Sequence, residues 1–136
     1  VSKLALPQRK KATMATDVPH VLVVDDTFVD RLVASRVLQS CNIRVTTMED
    51  PKKALEFLNV EHDVQLIMTD YCMPSMTGYD LLKELKESPK LKQIPVVIMS
   101  SDHIPERMKR CLDAGAKEYI MKPLDVVDVP RLLSYI

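Results

Sequence analysis

The stretch Leu66–Leu82, LIMTDYCMPSMTGYDLL, decides the fold. Its first residues continue VQ into a short apolar run that ends at Asp70, a Met73-Pro74 step and Gly78 then turn the chain, and YDLLKELKES follows. Leu81, Leu82 and Leu85 recur at helical spacing, so the second half reads as an amphipathic helix that stops before Pro89. A strand therefore gives way to a loop and a helix, and a carboxylate stands at the junction.

The same unit recurs on both sides of this stretch. HVLVVDD leads into FVDRLVASRVLQSC, whose Val29, Leu32, Val33 and Val37 fall on one helical face. IRVTTM reads as a second strand, and PKKALEFLNV as a helix opened by Pro51, a residue favoured at the first helical position. Further on, IPVVIMSS forms strand four and PERMKRCLDAGA a helix that Gly115 can end in the left-handed conformation. KEYIMKP is a short fifth strand. VVDVPRLLSYI then begins a last helix close to the chain end, which leaves room for the natural protein to continue past Ile136.

Five strands alternating with five helices predict an α/β fold, a doubly wound five-stranded parallel sheet with helices on both faces. Near-continuous apolar strands such as VLVV and VVIM fit burial from both sides. With 136 residues, one domain is expected. The first stretch, residues 1–19, shows no sustained period and carries Lys3, Arg9, Lys10 and Lys11 against Asp17 alone; it reads as a flexible basic leader before a domain at 20–136.

Nineteen basic residues balance nineteen acidic ones, so the composition favours neither nucleic acid nor membrane as a partner. No apolar run approaches the roughly 20 residues needed to span a bilayer, and no signal-peptide pattern is visible. Cys41, Cys72 and Cys111 are odd in number and far apart, which suits a reducing compartment better than a disulfide framework. Residence in the cytoplasm, the nucleus or both is expected. His20, His62 and His103 fit a strand start and two loops, and none has the setting of a metal ligand or phosphoryl donor.

In open parallel sheets, ligands bind outside the carboxyl ends of the strands. Those ends carry Asp25 and Asp26 after strand one, Asp70 after strand three, Ser100 after strand four and Lys122 after strand five. Strand two contributes no comparable group, as expected at an outer edge. Carboxylates gathered in one crevice repel one another unless a cation neutralises them. Mg2+, a hard ion preferring carboxylate, water and phosphate oxygens, is the natural candidate, and Mn2+ could substitute. With Lys122 adding a positive charge and Ser100 a hydroxyl, the arrangement suits phosphoryl transfer to Asp70 as a carboxylate nucleophile.

Taken in order, the DD pair, the run DYCMPSMTG, IMSS and KP resemble the response-regulator receiver domain of two-component phosphorelays over about residues 20–136. The wider stretches DYCMPSMTGYDLLKELK and PVVIMSSDHIPERMKRCLDAGAKEYIMKP are similar to plant cytokinin-pathway regulators of the short type-A kind. The resemblance implies a flavodoxin-like (βα)5 fold, phosphorylation of Asp70, and Mg2+ held by Asp26, Asp70 and the main-chain carbonyl of Cys72, with Asp25 acting through water. It also implies that Ser100 and Lys122 contact the phosphoryl group, that the Lys122-Pro123 bond is cis, and that Tyr119 is an aromatic switch.

By the same resemblance, the fourth helix, fifth strand and fifth helix form the output surface. The donor would be a phosphohistidine on a His-containing phosphotransfer protein, with output through downstream signalling proteins. No DNA binding by this chain is expected, nor membrane association, and a monomer is expected. A receiver of this kind catalyses its own phosphorylation and dephosphorylation and is not a conventional turnover enzyme.

Bland alternatives stand beside these readings. Asp25 and Asp26 could be a helix cap, Ser100 or Ser101 a loop cap, Lys122 a solvated strand end and Tyr119 a core ring. At the level of function, the alternatives are a phosphorylation-independent pseudo-receiver that binds partners and a haloacid-dehalogenase-like Mg2+-dependent phosphatase. The latter usually carries its nucleophile after the first strand in a D-x-D arrangement, whereas here the first-strand acids are adjacent.

Overall fold

A computed structural model of the chain describes residues 18–136; the predicted basic leader at 1–19 falls almost wholly outside them. Strands β1 (His20–Val24), β2 (Arg44–Met48), β3 (Leu66–Asp70), β4 (Val96–Ser100) and β5 (Glu118–Met121) alternate with helices. These are α1 (Phe28–Ser40), α2 (Pro51–Leu58), α3 (Gly78–Glu87), α4 (Pro105–Asp113) and α5 (Val129–Leu133), the last entered through a 3-10 turn at Val126–Asp128. All strand pairs are parallel, in the order β2-β1-β3-β4-β5. The predicted five-stranded doubly wound sheet is therefore present, with β2 at one edge.

Alternation along the strands divides the core into two layers. Leu22, Val24, Ile67, Val96 and Ile98 join Ala54, Leu58, Leu81, Leu82, Leu85 and Cys111 from α2, α3 and α4 on one face. Val21, Val23, Leu66, Met68, Val97 and Met99 join Ala34, Leu38, Val129 and Leu132 from α1 and α5 on the other. β1, β3 and β4 are buried along their whole length, which is why they read as unbroken apolar runs, whereas edge strand β2 is partly exposed.

Local chemistry fixes where the helices begin. Asp50 accepts the backbone N–H of Lys52 ahead of Pro51, and Thr77 and Asp80 cap each other's backbone at the start of α3. Gly115 follows α4 with a φ of 112°, the left-handed stop expected of it. The fifth helix is shorter than expected, because Asp125 and Asp128 cap a 3-10 turn before it.

One sequence expectation is corrected. Val29 and Leu32 of α1 face solvent, Val33 and Val37 are half-buried, and the helix rests on the sheet through Ala34 and Leu38. Apolar residues occur on every side of α1, so spacing alone could not choose the buried face.

Gly78 has a separate steric role. Its N–H donates to the carbonyl of Tyr71 at 2.8 Å, and a Cβ there would lie 2.5 Å from the carbonyl oxygen of Asp70. That neighbour is backbone and cannot rotate away. Gly78→Ala should therefore lower stability by about 1–3 kcal/mol, as overpacking does, measured as a reduced urea midpoint at unchanged slope.

Candidate functional site

Parallel registration gathers the chemistry at one edge. Val24 pairs with Thr69, Asp70 with Met99 and Ser100 with Met121, so the residues that end β1, β3, β4 and β5 come level. Backbone bonds from Asp25 to Met48, Tyr71 to Met99 and Lys122 to Ser100 extend the ladders just past those ends. β1 and β3 are neighbours while the chain reaches β2 on the opposite side, which makes this edge the point where strand order reverses.

Asp25, Asp26 and Asp70 each present a carboxylate oxygen within 4.8 Å of the others. Asp25 is fully buried and Asp70 is 5% exposed, whereas Asp26 reaches solvent. Asp25 Oδ1 accepts the N–H of Thr27 at 2.9 Å. The Lys122 ammonium lies among the acids, 2.8 Å from Asp25 Oδ2, 3.0 Å from Asp70 Oδ1 and 2.8 Å from Asp30 Oδ2. Its approach to Asp25 Oδ2 is an ion contact without hydrogen-bond alignment, and that buried oxygen has no aligned donor.

Electrostatics follow from this crowding. Burial pushes the Asp70 carboxyl up to about 6; Lys122 opposes the rise, and the charges of Asp25 and Asp26 reinforce it. Burial works against the charge on Lys122, but its contacts with Asp25, Asp30 and Asp70 together outweigh that effect and raise its pKa above the ordinary lysine value. A hard oxygen donor set, partly desolvated and holding an oxygen without an aligned donor, fits a divalent cation of the Mg2+ type.

Ser100 is buried at the end of β4, where its Oγ accepts the N–H of Asp102 at 3.0 Å. Tyr119 points inward, its ring tilted against Tyr71 with centroids 6.5 Å apart and its hydroxyl donating to the carbonyl of Asp102 at 3.4 Å. Cys72 is exposed, and the Lys122-Pro123 peptide is cis. Asp25, Asp26, Asp70 and Lys122 thus meet directly, whereas Ser100 ends the strand next to β3 and Tyr119 contacts Asp102 and Tyr71.

Two neighbours escaped the sequence reading. Asp30 stands in the first turn of α1, and its Oδ2 accepts a hydrogen bond from Lys122 at 2.8 Å. Arg107 of α4 lies over the Tyr71 ring, 4.1 Å from its centroid, and 3.8 Å from both Asp102 Oδ2 and Cys72 Sγ. Nothing local in the sequence ties Arg107 to these groups.

His20, expected only to begin a strand, is buried at the opposite edge of the sheet. It lies 2.7 Å from both Asp63 Oδ1 and Thr46 Oγ1. It has no part in the acidic crevice.

Against known proteins, residues 21–134 match the response regulator receiver domain. The chain belongs to that family. A rice protein, the two-component response regulator ORR12 of Oryza sativa subsp. japonica, is 64% identical over 118 residues, which cover 87% of this chain and 98% of that protein. ORR3 of the indica subspecies is 55% identical over 116 residues, covering 85% and 88%. Among solved structures, the chemotaxis response regulator CheY4 of Vibrio cholerae superposes with a TM-score of 0.78 at 26% identity, covering 88% of this chain and all of that one. A response regulator receiver protein from Pseudomonas putida gives 0.79 at 25%, covering 88% and 98%.

The family assignment accords with the fold and with the acidic cluster. As a two-component receiver the protein works by phosphorylation of an aspartate, alongside histidine-kinase or phosphotransfer partners. Among the described residues, no helix is long and apolar enough to cross a membrane.

The raised pKa of Asp70 has a consequence for stability. Between the ordinary carboxylate value of 3.8 and about 6, the folded protein holds a proton that the unfolded chain has released. Stability therefore falls as pH rises through that window, and the full penalty stands above it. With divalent cations chelated, Asp70→Asn should be more stable than wild type by about 2–3 kcal/mol at pH 7.5, the gain vanishing near pH 3.5. Urea unfolding across pH measures it.

Proposed function

We propose that this receiver accepts a phosphoryl group on Asp70 from the phosphohistidine of a His-containing phosphotransfer protein. It would then signal through protein contacts at α4, β5 and α5. The observation that carries this reading is the meeting of Asp70 with Lys122, Asp25 and Asp26 at one sheet edge, the side chains converging from three different strand ends. A carboxylate held at one oxygen by an ammonium is oriented for attack on phosphorus, and the same ammonium stands close enough to help neutralise charge on the phosphoryl oxygens.

Asp26, Asp70 and the main-chain carbonyl of Cys72 would hold Mg2+, with Asp25 acting through water and Mn2+ able to substitute. The ion would supply charge neutralisation for the phosphoryl oxygens. Lys122 would pair with one of those oxygens, and Ser100 would turn its hydroxyl from the N–H of Asp102 toward another. The N–P bond to histidine breaks as the new O–P bond to Asp70 forms.

Tyr119 offers a route outward from Ser100. Its hydroxyl reaches Asp102 in the loop that Ser100 anchors, and its ring packs on Tyr71, which lies beneath Arg107 of α4. Drawing Ser100 toward a phosphoryl group would pull this loop and favour one of two arrangements of the α4 face through differential contacts. The same reading places the protein in a plant cytokinin pathway, in the cytoplasm or nucleus, as a monomer whose output needs no DNA contact of its own.

The test is phosphate transfer. Incubation with acetyl phosphate and Mg2+, or with a phosphorylated histidine-containing transfer protein, should add one phosphoryl group that mass spectrometry locates on Asp70. Asp70→Asn should abolish the label, and chelation of the cation should reduce it to background. An adduct on another residue would overturn the assignment, and no adduct from either donor would favour phosphorylation-independent binding.

A further inference from the structure

Lys122 is shared between two kinds of carboxylate. Asp25 and Asp70 belong to the cluster read above as cation ligands, whereas Asp30 lies outside it on α1. We propose that Asp30 is a positioning residue: it gives the Lys122 ammonium a counter-ion outside the ligand set, so that Asp25 and Asp70 can pass to a divalent cation without stranding the lysine. This inference rests on the proposed metal-ligand assignment.

Two cations compete for this site. The ammonium and a divalent cation seek the same oxygens, because Lys122 contacts Asp25 Oδ2 and Asp70 Oδ1 directly. Only 11% of the Lys122 side chain is exposed, so water is a poor substitute for lost carboxylates. A buried ammonium deprived of partners would resist their loss, and with them the entry of the cation.

Asp30 resolves this conflict by its place in the fold. It donates no oxygen to the cluster, yet its Oδ2 accepts a hydrogen bond from Lys122 at 2.8 Å. It stands in the first turn of α1, where a carboxylate is favoured by the helix N-terminus. A cavity of about 20 Å³ lies beside the pair, lined by Asp25, Asp30, Ala34, Met99, Lys122 and Leu124. That is room for a water molecule or for a small displacement of the ammonium toward α1.

A double-mutant cycle on Mg2+ affinity, measured by calorimetry with the intact chain, tests this. Asp30→Asn should raise the Kd for Mg2+ about three- to tenfold when Lys122 is present, and by under about twofold in a Lys122→Met background. Simple loss of a nearby negative charge would weaken binding equally in both backgrounds, and that result overturns the proposal. An unchanged Kd in the single variant also overturns it. If Asp30→Asn does not fold, Asp30→Ser carries the same expectation.

A second readout follows the lysine itself. With Nζ labelled by 15N, the Lys122 ammonium signal should persist on Mg2+ saturation in wild type and be lost to exchange in Asp30→Asn. Loss in both proteins counts against Asp30 as the retained partner. Asp26→Asn separates the two levels of the reading: retention of wild-type Mg2+ affinity there would remove the metal-ligand assignment, whereas its loss alongside an unaffected Asp30→Asn would remove the positioning role alone.

Discussion

Mutual repulsion among Asp25, Asp26 and Asp70, relieved in part by one buried ammonium, is the constraint around which the sheet edge is built. Carboxylates brought this close and partly out of water destabilise the fold, and the upward shift of Asp70, driven first by burial and reinforced by the charges of Asp25 and Asp26, records that cost. The rest of the molecule must hold them there. It does so with two apolar layers and with β1, β3 and β4 fully buried, so that the strand ends cannot spread apart without opening the core. An arrangement of carboxylates that repel one another is, for the same reason, suited to a divalent cation.

Topology turns this local tension into a site with a direction. Because strand order reverses beside β1, the helices that follow β1 and β3 leave on opposite faces and the crevice between them stays open. The floor is made of buried strands, and the rim is joined by side-chain contacts. Ser100 and Lys122 end strands, but Asp102, Tyr119 and Arg107 connect them to α4 through a long hydrogen bond, a tilted ring pair and a stacked guanidinium. None of these contacts is strong alone, and each can be exchanged for another at small cost. Weak, interlocked contacts above a fixed floor are what a two-state surface requires.

Much of this was legible in the sequence because period and position survive without coordinates. Alternating apolar runs and amphipathic stretches named five strands and five helices, and the polar residues at Asp25, Asp26, Asp70, Ser100 and Lys122 stood out at strand ends. Legibility failed where side chains had equivalent choices. α1 is apolar on all sides, so the exposure of Val29 and Leu32 depended on how closely Ala34 meets the sheet. Asp30 looked like an ordinary first-turn acid, and only the position of Lys122, 92 residues away, shows its second role. Arg107 and the His20, Asp63 and Thr46 group are likewise tertiary meetings with no local spacing to announce them.

The three clustered acids differ enough in setting to be distinguished as chemical actors. Asp25 is wholly buried, with one oxygen bonded to the N–H of Thr27 and the other against Lys122, so it is poorly placed to meet any external group. Asp26 reaches solvent and, among the described residues, forms no salt bridge with a lysine or arginine. Asp70 lies between these extremes: nearly buried, fixed at one oxygen by Lys122, and standing at the end of β3 with Gly78 packed close to its carbonyl. The phosphoacceptor role proposed for Asp70 asks for a carboxylate that is oriented and charge-compensated together, and the Lys122 contact at one oxygen supports both.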